Sequence, residues 1–198
     1  MEEIRTPKQE RAILKKDKII EAGFKLITKN GYYNTNTKQI SEEAGGSTGI
    51  VYQYFKDKHD IFIAGINKYG DGIFYPTINF DKIKVDKDNI ELLFKDMISS
   101  YVKDHKISKA IHEEITAMIH SDKDVANYFY EREMDVTNEL YNILKEYFED
   151  NNLKEKTHII IGMIDNLCHE IVFHKHDELN YDVITNLVIE NIISFLKN

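Results

Sequence analysis

Eight histidines, thirty-four carboxylates and one cysteine give this 198-residue chain the side chains with which a protein holds a metal or activates a nucleophile. Their spacing supports neither use. His169-Glu170 is followed by histidine at 174, one residue too far for the zinc helix H-E-x-x-H, and a helix would turn His174 and His176 to different faces. Cys168 stands in an apolar stretch, where a thiol is ordinarily inert, and no G-x-S-x-G, phosphate loop or dinucleotide fingerprint occurs. No metal, no cofactor and no enzymatic activity are expected. Non-covalent chemistry remains, and it concentrates in TNTKQISEEAGGSTGIVYQYFKDK, residues 35–58. The hydroxyls of Thr37, Ser47, Thr48, Tyr52 and Tyr54, the Gln53 amide and the ammonium groups of Lys38, Lys56 and Lys58 are the kinds of group that bond phosphate oxygens and base edges.

These residues need elements to hold them. Asn36 is a good N-cap, with Gln39 three residues on in a capping-box arrangement, and Ile40 and Ala44 then face inward, giving a short helix near 37–44. Gly45-Gly46 breaks it, and Ser47 is expected to cap a second short helix running through Tyr54. Helices this short must be held by their neighbours. One neighbour is a helix over about 8–30, with Ile13, Ile19, Ile20, Phe24 and Ile27 at helical spacing, a stop at Asn30-Gly31, and Arg11, Lys15, Lys16 and Lys18 available to a phosphate backbone. The other begins at an Asp57 cap, carries Ile61, Phe62, Ile66, Tyr69 and Ile73, and is stopped by Pro76. Gly65, Gly70 and Gly72 make it either a bendable connector or a closely packed helix. Residues 77–87 read as a loop.

The body that follows is helical as well. Apolar periodicity predicts helices near 88–105 and 108–120, a long one capped by Asp122 to about 149 with Asn151-Asn152 as its stop, and two more over about 154–176 and 180–197. The last two are apolar over more than one face, which at the end of a chain suits burial against a second copy. The fold class is therefore all-α, with about nine helices.

Read from Gly31 to Lys58, the head shows G-Y-x-x-T-x-T-K-x-I-x-x-x-A-G-x-S-x-G-x-V-Y-x-Y-F-x-x-K. This resembles the N-terminal domain of the TetR family of bacterial transcriptional regulators, over about residues 15–65. Gly46 departs from the family's usual apolar residue, and Ser41 from its usual Ala. The resemblance implies a helix-turn-helix DNA-binding domain over 1–56 and an effector-binding and dimerisation domain over 57–198. By family position, Thr37, Lys38, Ser47, Thr48, Gly49, Tyr52, Gln53, Tyr54 and Lys58 would face DNA. It also implies a homodimer through the last two helices, a palindromic double-stranded operator, and a small-molecule effector that releases it.

Charge fits that division. Residues 1–60 hold eleven Lys/Arg against nine Asp/Glu, and the remainder fifteen against twenty-five, so a mildly basic head precedes an acidic body in a chain of net charge −8. A hydrophobic fraction of 42% with 30% charged residues is ordinary for a globular protein, and one cysteine excludes an intramolecular disulfide framework. The charged N-terminal stretch MEEIRTPKQERAILKK has no apolar core for a signal peptide, and no membrane span is read, so a soluble cytoplasmic chain is expected. In the body, a helical projection puts His158, Gly162, Asp165, Asn166, His169 and Phe173 opposite Ile160, Ile164, Leu167 and Ile171. Asp165, Asn166 and His169 are candidate effector contacts or a polar seam, with Tyr101, His112, Met118, Phe129, Met134 and Tyr141 as further candidates or core. A small-molecule sequestering protein with a vestigial helix-turn-helix is the rival reading, and a helical enzyme a more distant one.

Overall fold

The computed structural model describes residues 7–70, 90–104 and 109–197, and every regular element among them is an α-helix. In chain order these are α1 (Pro7–Asn30), α2 (Thr37–Glu43), α3 (Thr48–Val51), α4 (Lys58–Tyr69), α5 (Ile90–Asp104), α6 (Lys109–Ser121), α7 (Lys123–Leu144), α8 (Leu153–Phe173) and α9 (Tyr181–Lys197). The all-α architecture expected from the sequence is the one found. Ile73, the Pro76 stop and the 77–87 loop lie outside the described residues. None of the helices is long and apolar enough to cross a membrane.

The starts of these helices follow the sequence closely. Asn36 accepts the Gln39 amide at 3.0 Å while the Gln39 side chain accepts the Asn36 amide at 2.9 Å, a complete capping box. Asp57 accepts the Asp60 amide at 3.1 Å and so caps α4. Asp122 accepts the amides of Asp124 at 3.0 Å and Val125 at 3.2 Å and so caps α7. Ser47 differs. It has extended capping backbone angles, but its side chain makes no capping bond, because the Ile50 amide already donates to the Ser47 carbonyl at 2.9 Å.

Two helices are shorter than their apolar pattern. Regular α-helix in α3 stops at Val51, not Tyr54, and the chain tightens into i→i+3 bonds from Gln53 to Ile50 and from Tyr54 to Val51. Gly49 and the β-branched pair Ile50-Val51 are poor helix formers, so packing rather than propensity holds this turn. Helix α7 ends at Leu144, not near 149, and from Glu146 the amides likewise shift to i→i+3 partners, Glu146 to Ile143 and Tyr147 to Leu144.

Compactness divides the chain differently from the functional boundary expected at 56/57. One compact unit comprises Met1–Phe74 with Ile107–Tyr128, the other Tyr75–Lys106 with Phe129–Asn198. In the first, Ile19, Ile20, Ala22, Ile40, Val51, Phe55 and Ile61 form a closed apolar core. Each of these side chains except that of Ala22 contributes about 1.5–3 kcal/mol by leaving water. Gly65 brings α4 against α1 so tightly that a Cβ would lie 2.9 Å from Phe24, and one at Gly70 would collide with the Tyr128 ring. Close packing, not bending, is therefore what these glycines provide; Gly72 lies outside the described residues. In the second unit Leu93, Phe94, Leu140, Leu144, Ile160 and Ile192 are fully buried at the meeting of α5, α8, α9 and the later turns of α7.

Two outcomes follow from this geometry. Gly45 sits at φ +71°, whereas a Cβ on Gly46 would touch Ile50 and the Ser41 carbonyl only at ordinary van der Waals distances. Gly45→Ala should therefore cost about 1 kcal/mol in urea unfolding, and Gly46→Ala should be neutral or stabilise by about 0.5 kcal/mol. Burial raises the Asp122 carboxyl pKa, but the Val125 amide and His59 outweigh it and hold the group below its ordinary 3.8. Its contribution is present above that pH and is lost as pH falls through the folded value. Asp122→Ala should cost about 1 kcal/mol at pH 7, a difference that shrinks in acid, read from unfolding midpoints at pH 7 and below 3.8.

Candidate functional site

The residues expected to meet DNA separate into those presented outward and those used to build the head. Lys38, Ser47, Gly49, Tyr52 and Gln53 are exposed, Tyr52 at 56%. Thr37 is half-buried, and its Oγ1 lies 3.2 Å from the Tyr52 hydroxyl, tying α2 to the turn that follows α3. Tyr54 is half-buried against the head core. On α1, Arg11, Lys15, Lys16 and Lys18 are exposed, and the Lys16 ammonium stands 5.6 Å from the centre of the Phe55 ring.

Lys58 points inward. Its ammonium donates to the carbonyls of Tyr32 and Thr35, the latter at 2.8 Å, and lies 4.0 Å from the centre of the Tyr32 ring. Burial pushes its pKa below the ordinary lysine value, opposed by the nearby charge of Glu114. In this conformation the ammonium closes the turn between α1 and α2.

Ser41, noted in the sequence only as a departure from the family pattern, is 2% exposed. Its hydroxyl donates to the Lys38 carbonyl at 2.7 Å and lies 3.3 Å from Thr48 Oγ1. A serine has one proton to give. With that proton on Lys38, Thr48 is the donor to Ser41, and Thr48 keeps a methyl group and an acceptor lone pair for other partners. The sequence also gave no sign of Glu114, whose carboxylate accepts the Tyr33 amide at 2.9 Å from 81 residues away.

In the second unit three of the candidate effector residues come together. The Tyr101 hydroxyl bonds His169 Nε2, and Asp165 lies 3.3 Å from His169 Nδ1, linking α5 to the polar stripe of α8. Tyr101 is buried, while Asp165 and His169 are half-buried and Asn166 is exposed. Phe129, Met134 and Tyr141 are half-buried on α7, and Tyr141 packs on the apolar core. His112 and Met118 belong to the first unit, Met118 as core at 2% exposure. Cys168 is fully buried and its thiol is pushed up to about 12 by burial and by Asp165; it is inert at neutral pH.

Among the described residues, metal-ligating atoms converge around His59, with Asp57 and Asp60 in one group and Asp122 and Asp124 in the other. Their atoms serve folding: Asp57 and Asp122 cap helices, Asp60 accepts the Lys56 amide at 3.0 Å, and His59 Nε2 bonds Asp122 at 2.7 Å. Two helix N-termini also point positive potential at this spot, which disfavours a cation.

Comparison with known proteins matches the head first. Residues 19–64 fit the model of the bacterial regulatory proteins, tetR family. The fatty acid metabolism regulator protein of Bacillus subtilis is 26% identical over 192 residues, covering 91% of this chain and 94% of the relative. The HTH-type transcriptional regulator HbdR of Aromatoleum is 51% identical over 47 residues, 24% of this chain and 20% of that one. A TetR-family transcriptional regulator structure from Mesorhizobium loti superposes with a TM-score of 0.66 at 16% identity, covering 94% of this chain and 97% of the other. A capped α2, a glycine turn and a packed α3 with exposed donors make up a head that matches the tetR family model over residues 19–64, and the all-helical chain shares its fold with the Mesorhizobium loti structure.

Proposed function

We infer that the protein is a dimeric, ligand-responsive repressor that binds a palindromic operator and releases it on taking up a small-molecule effector. The observation that carries this reading is the outward set Lys38, Ser47, Tyr52 and Gln53 beside a positive-φ glycine turn, on a head that matches the family model. Between Ser47 and Tyr54 there is no charged side chain. Affinity therefore comes from Lys38, from tyrosine and serine hydroxyls and from lysines on α1, while base choice falls to Gln53 and Thr48. Gln53 can bond an adenine edge bidentately. Thr48, its proton engaged by Ser41, reads with its methyl on a thymine or its lone pair on a base amino group.

A single such head binds weakly, and a two-fold pair places two of them about 34–36 Å apart, one turn of DNA. Ile159 on α8 and Val183 and Leu187 on α9 are each 51% exposed in the single chain. Val183 and Leu187 are four residues apart and form one apolar strip, which supports pairing of α8 and α9 with a second copy. Tyr101, Asp165 and His169 are the polar groups proposed to orient an effector in the body, with Phe129, Met134 and Tyr141 on α7 as apolar contacts. The Bacillus subtilis relative is named a fatty acid metabolism regulator. We assign the same field of regulation to this chain. Release requires the effector to prefer the DNA-incompetent arrangement, with a coupling of about 1–3 kcal/mol.

From a random pool of duplexes, the wild-type chain should enrich a palindrome; a pool left unselective after repeated rounds would sink the assignment. On the enriched duplex, Lys38→Ala should weaken binding to all sequences and lower the salt slope by about 1, and Gln53→Ala should relax one base pair by about 1–3 kcal/mol. Val183→Lys with Leu187→Lys should yield monomers in sedimentation, with DNA affinity falling alongside. A dimer that survives both changes would exclude this face.

A further inference from the structure

The turn between α1 and α2 is held from both sides by opposite charges. On one side the Lys58 ammonium takes the Tyr32 and Thr35 carbonyls. On the other the Glu114 carboxylate, from α6, takes the Tyr33 amide at 2.9 Å. Gly31 stands at φ +94°, and a Cβ there would lie 2.4 Å from Glu114 Oε2. The carboxylate thus occupies the space that a side chain at this position would fill. Thr35, 2% exposed, closes the turn with its hydroxyl on the Gly31 carbonyl at 2.8 Å. Immediately beyond come the Asn36 cap and Thr37, whose Oγ1 meets the Tyr52 hydroxyl at 3.2 Å.

We propose that Glu114 is a positioning residue for DNA reading: it fixes the Gly31–Thr35 turn, and through Thr37 and Tyr52 the placement of α2 and α3. This rests on the DNA-binding role inferred above. Within the turn the Lys58 ammonium offers only donors, and the Thr35 hydroxyl is directed to the Gly31 carbonyl, so Glu114 is the side chain that accepts the Tyr33 amide.

Coulomb's law and positioning predict opposite results. Removing a carboxylate from the head makes it more positive, which by charge alone strengthens binding to phosphates. Positioning predicts that Glu114→Ala weakens it. Glu114→Gln removes the same charge yet keeps a carbonyl oxygen to accept the Tyr33 amide.

The experiment compares the full-length wild type, Glu114→Ala and Glu114→Gln on a duplex enriched by the wild type, across a salt series, together with amide hydrogen exchange in the absence of DNA. Glu114→Ala should bind about tenfold more weakly with the wild-type salt slope, since no phosphate contact is lost. Glu114→Gln should bind at least as tightly as the wild type. Exchange of the Tyr33 amide and of residues 31–37 should quicken in Glu114→Ala alone, with the α1 and α4 interiors unchanged. Unchanged or tighter DNA binding by Glu114→Ala, equal loss in both variants, or a Tyr33 amide indifferent to the substitution overturns the proposal. Failure of the wild type to enrich any duplex instead overturns the DNA-binding role, and the exchange arm then decides alone whether Glu114 fixes the turn.

Discussion

A helix of four residues has no stability of its own, and the head of this protein is organised around that fact. Thr48–Val51 makes too few internal hydrogen bonds to offset the entropy of fixing its backbone. It is held because Val51, at 1% exposure, and Phe55, at 7%, enter a core already walled by Ile19, Ile20, Ile40 and Ile61. The two long helices of the head, α1 and α4, close on each other at Gly65, and the reading turn is fastened to their packed surface. The side chains of Lys38 and Gln53 face outward and are available to a partner, while Tyr52, also exposed, holds Thr37 through its hydroxyl.

Much of this is legible in the residues. The capping box at Asn36, the caps at Asp57 and Asp122 and the stop at Gly31 are local chemistry, decided within four positions of chain, and the structure has each where the sequence puts it. Interactions between distant segments are another matter. Glu114 meets the Tyr33 amide across 81 residues, and nothing in the spelling of either segment indicates it. Lys58 is similar: a lysine three residues after a buried phenylalanine reads as a surface charge, and only the fold reveals carbonyls waiting for it. Where helix pattern and helix length disagree, at α3 and α7, apolar periodicity outlasts regular hydrogen bonding. Burial continues through a tightened turn as well as through a helix.

The body is less informative in sequence because its polar residues are few and its apolar ones are interchangeable. The projection of α8 puts Asp165 and His169 on one stripe, both half-buried, but Phe173 of that stripe is buried, and α5 supplies the core residue Tyr101 to meet His169. Which aromatic or methionine belongs to core and which to a ligand surface depends on neighbours that periodicity does not specify. Met118 reads like Met134, yet one is core in the first compact unit and the other is half-buried in the second.

Cys168 makes the second unit self-reporting. The thiol is wholly enclosed and its pKa is pushed up to about 12, so the native protein presents almost no thiolate to an alkylating reagent. It is also the chain's one cysteine. Any label that a thiol-specific reagent leaves on Cys168 at neutral pH therefore marks a moment when α8 and its neighbours have parted, and the labelling rate measures how often they do. A molecule that settles between those helices would slow that clock without any need to know its identity beforehand.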